Sequence, residues 1–157
     1  MSKRLAIFPT ESRLYPKAIE LAKALSFPII FEANREFDYW IILKDDFLGI
    51  KECHSNAHVL KVDFLTQKID YRLKHASLKK EALAKAIGIH PNKNPFILDA
   101  TGGLGQDSIV LSYLGYSITV LERVPLMYYL LQDGLRRALP VLPCVSRIQL
   151  IHQNAIT

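Results

Sequence analysis

Cysteine is scarce in this chain: Cys53 and Cys144 are the two copies among 157 residues, and they stand far apart. That count excludes a disulfide-stapled scaffold and fits a reducing compartment. Long apolar runs are lacking as well. No stretch approaches the roughly 18 uninterrupted apolar residues of a membrane-spanning helix, and no such run follows Met1-Ser2-Lys3-Arg4. The expectation is a soluble, cytoplasmic protein. Acid is outnumbered, with 15 Asp and Glu against 20 Lys and Arg and a pI near 9.2. A surplus of that sign admits an acidic partner such as RNA. Glycine is sparse at seven residues, yet three of them, Gly102, Gly103 and Gly105, fall within four positions. Half of the residues are apolar, enough for one domain or two small ones with a real core.

The glycine cluster organises the rest. Phe96-Ile97-Leu98-Asp99 is a short apolar run ending in an acid, Ala100 to Gly105 is a glycine turn, and an apolar-periodic segment begins at Ser108. Strand, tight turn and helix in that order form the ligand-binding bend of a doubly wound α/β sheet. A dinucleotide fingerprint requires Gly-x-Gly-x-x-Gly. Counting from Gly103 the third position is Gly105, but the sixth is Ser108, so that pattern fails. Read from the acid, Asp99-x-Thr101-x-Gly103-x-Gly105 resembles the first motif of class I S-adenosylmethionine-dependent methyltransferases, with Thr101 in the first glycine's place. Bare backbone at such positions lets a ligand approach where a Cβ would hold it off.

A second strand, Ser117 to Arg123, carries Glu122, which lies 23 residues after Asp99. An acid about 20 residues beyond the turn is placed to accept hydrogen bonds from ribose hydroxyls, and it would repel a 2′-phosphate. Asp107, at the start of the helix, is a helix cap, a ligand contact, or both. Asp107 and Glu122 are expected to face one hollow at the sheet's edge. Pro125 suits the first turn of a helix running through Ala138, with Gly134 inside it. Arg147 to His152 reads as a third strand, and Gln153-Asn154-Ala155 lies beyond its end, where ligands bind in this fold.

The first 75 residues read as a small mixed α/β meander domain. Leu5 to Phe8 is a strand candidate, Glu11 to Leu25 has helical periodicity, and Ile29-Ile30-Phe31 resumes as a strand after Pro28. Tyr39 to Leu43, Phe47 to Cys53, His58 to Leu65 and Ile69 to Leu73 follow as short strands with polar breaks, the pattern of an antiparallel meander. Cys53, His54 and His58 are metal-ligand types without an apparent fourth partner, and a hairpin turn accounts for them without a metal. From 72 to 93 the chain turns basic: Arg72, Lys74, Lys79, Lys80, Lys85 and Lys93 face only Glu81. A helix over Ser77–Ile87, capped by Ser77 and stopped by Gly88, fits the apolar spacing. Its lysines form a solvated face or an RNA backbone contact.

The runs Leu98 to Asp107, Leu121-Glu122-Arg123-Val124-Pro125, Gln132 to Ala138 and Arg147 to His152 together resemble the ribosomal RNA small subunit methyltransferase J family. The resemblance is most specific from about residue 81 onward and weaker earlier, through Asp38-Tyr39-Trp40 and Val62-Asp63-Phe64. It implies a small mixed α+β N-terminal domain (1–75), then the first half of a class I methyltransferase, Rossmann-like sheet (76–157), incomplete at its C-terminus. It implies transfer of a methyl group from S-adenosyl-L-methionine to the exocyclic N2 of a guanine in small-subunit (16S) rRNA. The partner is that rRNA or the assembling small subunit, and the oligomeric state is left open. The cofactor residues are Asp99, Gly103, Gly105, Gln106, Asp107, Glu122, Arg123, Asn154 and Ala155. Gln106 replaces a family arginine, Gly102 an alanine and Ala155 a serine, so the positive charge at position 106 is gone. The family's Asp-Pro-Met-Tyr/Phe type motif, which would hold the guanine amine, does not occur before Thr157, and Asn94-Pro95 precedes the first strand. The expectation is a truncated chain with the cofactor half, no catalytic residue of its own and weak or no turnover. A non-catalytic RNA- or partner-binding domain and a nicotinamide oxidoreductase are the alternatives.

Overall fold

Two sheets arise from two kinds of local sequence. The computed structural model describes residues 3–34 and 36–156. The chain divides into two compact units, Met1–Val62 and Asp63–Thr157.

In the first unit, β1 (Leu5–Pro9) pairs parallel with β2 (Tyr39–Leu43), and β2 pairs antiparallel with β3 (Leu48–Glu52). Lys44 N donates to Phe47 O at 3.0 Å, closing the β2–β3 turn. The helix α1 (Tyr15–Leu25) buries Ala18, Leu21 and Leu25 at helical spacing, and Ser26 ends it in the left-handed region. The β2–β3 pair has the antiparallel direction of the expected meander, while β1 joins β2 in parallel, a direction that the crossover containing α1 makes possible. Ile29 makes a single bridge to Ile7, and Leu60 a single bridge to Ile50. The strands expected at 29–31 and 58–65 are therefore only bridges; Pro28 has no N–H to donate.

In the second unit, Ile69 to Leu73 is not a strand. It lies within helix α2 (Gln67–His75), whose start is fixed by Thr66 accepting from Ile69 N at 3.3 Å. The contact boundary at Val62/Asp63 accordingly falls before this helix rather than at residue 75. The helix expected over Ser77–Ile87 is confined to α3 (Ala82–Ile87), with Glu81 rather than Ser77 at the N-cap. Lys80 and Glu81 N–H groups both donate to Ser77 O, forming a turn instead. Gly88 does end the helix, at φ +67.

The parallel sheet follows. Strand β4 (Phe96–Asp99) pairs with β5 (Ser117–Glu122), and β5 with β6 (Ile148–His152). Helices α4 (Gln106–Tyr113) and α5 (Pro125–Ala138) make the connections. Tyr116, Ile118, Val120, Leu111 and Ala84 form a buried cluster, with Leu78, Ile87, Ile97 and Leu150 packed around it. One end of α5 is tied by a buried carboxylate: Asp133 accepts from Arg136 and Arg137 at 2.9 Å each, and Arg137 also lies 3.5 Å from Asp63. The next residue, Phe64, is buried and packs beneath the glycine turn. No described helix is long and apolar enough to cross a membrane.

Candidate functional site

Parallel strands place their carboxyl ends on one edge, and the loops leaving that edge build the site. Asp99 closes β4. Its Oδ1 accepts from Thr101 N at 3.0 Å and its Oδ2 from Ser108 Oγ at 2.5 Å. Both carboxylate oxygens thus tie the two ends of the glycine turn together. Gly103 and Gly105 sit at φ +51 and +69, where side chains are strained. Their surroundings differ. A Cβ on Gly105 would lie 2.9 Å from Phe64 Cζ and 3.0 Å from Leu131 Cδ2, whereas one on Gly103 would meet only Thr101 O at 3.4 Å. Gly105 is bare for packing. Gly103 is bare beside open space.

Two hollows flank that bare backbone, and both are bordered by Thr101 and Gly103. One, of about 480 Å³, is lined by Ala100, Leu121, Glu122, Arg123, Gln153, Asn154 and Ala155. The other, of about 600 Å³, is lined by Asp99, Gly105, Gln106 and Asp107, with Leu83, Ile87 and Leu111 on its apolar side. Asp107 borders the larger of these hollows and Glu122 the smaller, and the two meet at Thr101 and Gly103. Asp107 stands on the first turn of α4 and is drawn to Arg72 of α2, 3.0 Å away, while Glu122 ends the strand on the far side of the turn.

Glu122 is buried, at 9% exposure. Its Oε1 accepts from Val124 N at 2.8 Å, and among the described residues its second oxygen has no hydrogen-bond partner. A buried carboxylate with one oxygen unengaged beside a cavity suits a ligand's hydroxyl pair. Backbone pairing fixes its neighbours: Gln153 N donates to Glu122 O at 3.0 Å, carrying Asn154 and Ala155 alongside β5. Asn154 Oδ1 accepts from Ile156 N. Arg123 is exposed, and its carbonyl lies 3.3 Å from His152 Nε2. Gln106 is exposed on the first turn of α4.

Arg72 was missed as a site neighbour. It bridges Asp107 at 3.0 Å and Glu81 at 3.3 Å. Partial burial works against its charge, but the hydrogen bonds to Asp107 and Glu81 outweigh this and raise its pKa above the ordinary arginine value. No local signal marks it, since Asp107 is 35 residues away. Ser108 and Thr101 were legible as part of the turn, though not in their roles of binding Asp99 and separating the hollows.

The donor set fits an adenosyl group: a carboxylate for a sugar, a bare glycine at the dividing wall, and a loop edge with an amide side chain. Known proteins agree. A family described as "Putative SAM-dependent methyltransferase" matches residues 21–157. The Ribosomal RNA small subunit methyltransferase J of Desulfotalea psychrophila is 36% identical over 148 residues, covering 88% of this chain and 56% of that protein. The protein of the same name from Thioalkalivibrio sulfidiphilus is 42% identical over 99 residues, covering 61% and 39%. The crystal structure of a SAM-dependent methyltransferase from Neisseria gonorrhoeae superimposes with a TM-score of 0.73 at 28% identity, covering 96% of this chain and 60% of that one. The chain thus spans about half the length of the curated relatives it matches. Fold, glycine turn and sequence likeness converge, and this chain belongs to the S-adenosylmethionine-dependent methyltransferase family, with S-adenosylmethionine as the cofactor.

Proposed function

We propose that this chain supplies the cofactor-binding part of an enzyme that methylates the exocyclic N2 of a guanine in small-subunit rRNA. The observation that carries the reading is the hollow joining Glu122, Arg123, Asn154 and Ala155 to the open backbone of Gly103. The free oxygen of Glu122 accepts from the ribose hydroxyls, and the Asn154–Ala155 edge borders the adenine. Gly103, Gly105, Gln106 and Asp107 would hold the amino-acid end of the cofactor, while Asp99 braces the turn through Thr101 and Ser108. When bound, the cofactor offers an electrophilic methyl group on a sulfonium. The residues of this chain bind and orient it, and none is assigned to the transfer step. All of the proposed cofactor contacts lie in the part from 76 to 157. The rRNA substrate is supported by the names of the relatives and by the basic stretch around α2 and α3.

Calorimetry with S-adenosylhomocysteine tests the reading. Wild-type chain is expected to bind it and not NADH, and Glu122→Gln to bind it at least about tenfold more weakly, the loss of one charge-assisted hydrogen bond of about 1.5 kcal/mol. Equal binding of NADH, or no effect of Glu122→Gln, overturns it. Tritium transfer from labelled cofactor to undermethylated small subunits, compared between this chain and a full-length relative, tests the substrate.

A further inference from the structure

The positive charge of the chain is concentrated in one stretch. From Gln67 to Lys93 there are seven Lys and Arg against two acids, a surplus of five, which equals the net +5 of the whole sequence. Elsewhere base and acid balance at thirteen each. Both acids of the stretch are already paired, Asp70 with Lys74 at 2.7 Å and Glu81 with Arg72 at 3.3 Å. Lys68, Lys79, Lys80 and Lys85 are exposed and, among the described residues, have no ion-pair partner.

An aromatic surface lies on this same basic stretch. Helix α2 buries Ile69 and Leu73, which turns Tyr71 outward, and that residue is 67% exposed. The ring stacks on His75 one turn later, with centroids 4.0 Å apart and planes 28° apart. His75 is held in turn by a 2.8 Å contact from Nδ1 to Tyr71 O. Lys68 stands one turn earlier, at i−3 from Tyr71. Arg72, the residue after Tyr71, fastens α2 to Asp107 beside the glycine turn. A solvated lysine face alone needs no such ring pair. Rigid exposed rings in a positive field are what an unpaired base and its phosphates engage, because stacking is sequence-tolerant and the backbone is polyanionic.

We propose that the Tyr71–His75 pair is a stacking shelf for an unpaired RNA base, with Lys68, Lys79 and Lys80 contacting the flanking phosphates. This rests on RNA as the substrate and adds where the strand sits. The test is fluorescence anisotropy of this chain with a short labelled single-stranded RNA and with a duplex of the same sequence, across a salt series. The single strand is expected to bind more tightly than the duplex. Tyr71→Ala should weaken the single strand about tenfold, the worth of one lost stack, while Tyr71→Phe keeps wild-type affinity. Lys79→Glu with Lys80→Glu should flatten the salt slope by about two phosphate contacts. Wild-type affinity in Tyr71→Ala, a Tyr71→Phe variant as weak as Tyr71→Ala, or duplex bound as well as single strand overturns the shelf. S-adenosylhomocysteine calorimetry on the same variants separates the two readings. Retained cofactor binding with no RNA binding by wild type overturns the shelf and leaves the cofactor assignment standing.

Discussion

The two sheets of this chain each have three strands but are stitched differently. In the first unit, β2 and β3 return on themselves through a tight turn, so strand ends of opposite polarity mix along each rim. In the second, every strand runs the same way and every crossover contains a helix, so Asp99, Glu122 and the segment after His152 reach a single edge. Shared direction, more than composition, gathers the polar groups. The same contrast holds for glycine. Gly49 in β3 is bare because Val59 Cγ1 and Leu60 O crowd it from the segment bridged to Ile50, at ordinary backbone angles, whereas Gly105 is crowded and also left-handed.

The largest effect should come from Asp133→Ala, which leaves the mostly buried Arg137 with less of its counter-charge. A loss of about 3 kcal/mol is expected in a denaturant melt. If the loss is no more than that of an average surface change, the second unit is not pinned by this carboxylate. Next is Gly105→Ala, where overpacking against Phe64 and Leu131 adds to the left-handed penalty, about 2–3 kcal/mol together. Gly49→Ala should cost less, about 1–2 kcal/mol, since no left-handed penalty adds to the crowding by Val59 and the Leu60 carbonyl. A larger loss at Gly49 than at Gly105 would break the comparison. The smallest effect is at Asp38. Its carboxylate is held below the usual range by the Arg4 backbone N–H, 2.7 Å away, and by the nearby charges of Lys3 and Arg4. A depressed folded pKa stabilises above the unfolded value of about 3.9 and loses that contribution as pH falls through the lower folded value. Asp38→Asn should therefore flatten the acid limb of a stability-against-pH curve, and an unchanged limb would discount the contact.

Much of the second unit was legible in the sequence because its signals are strongly directional: apolar runs ending in acids, a glycine cluster, and Pro125 at a helix start. Residues 69–73 were not. Ile69, Tyr71 and Leu73 satisfy an alternating pattern, while Ile69 and Leu73 also satisfy the helical one. Five residues cannot separate the two periods. The Thr66 cap decides between them, and the outward turn of Tyr71 follows from that decision. At the site, the residues bordering each hollow could be read from their place after the strands. The pairing of Asp107 with Arg72 could not, since it is formed across 35 residues.

Asp99, gripping both ends of the bend through Thr101 and Ser108, has one further consequence. The loop holds its shape before any guest arrives. Association then carries little entropic penalty from freezing main chain at that point, and affinity reflects the contacts themselves. Loosening that grip would slow or weaken capture without removing a single group that touches the guest.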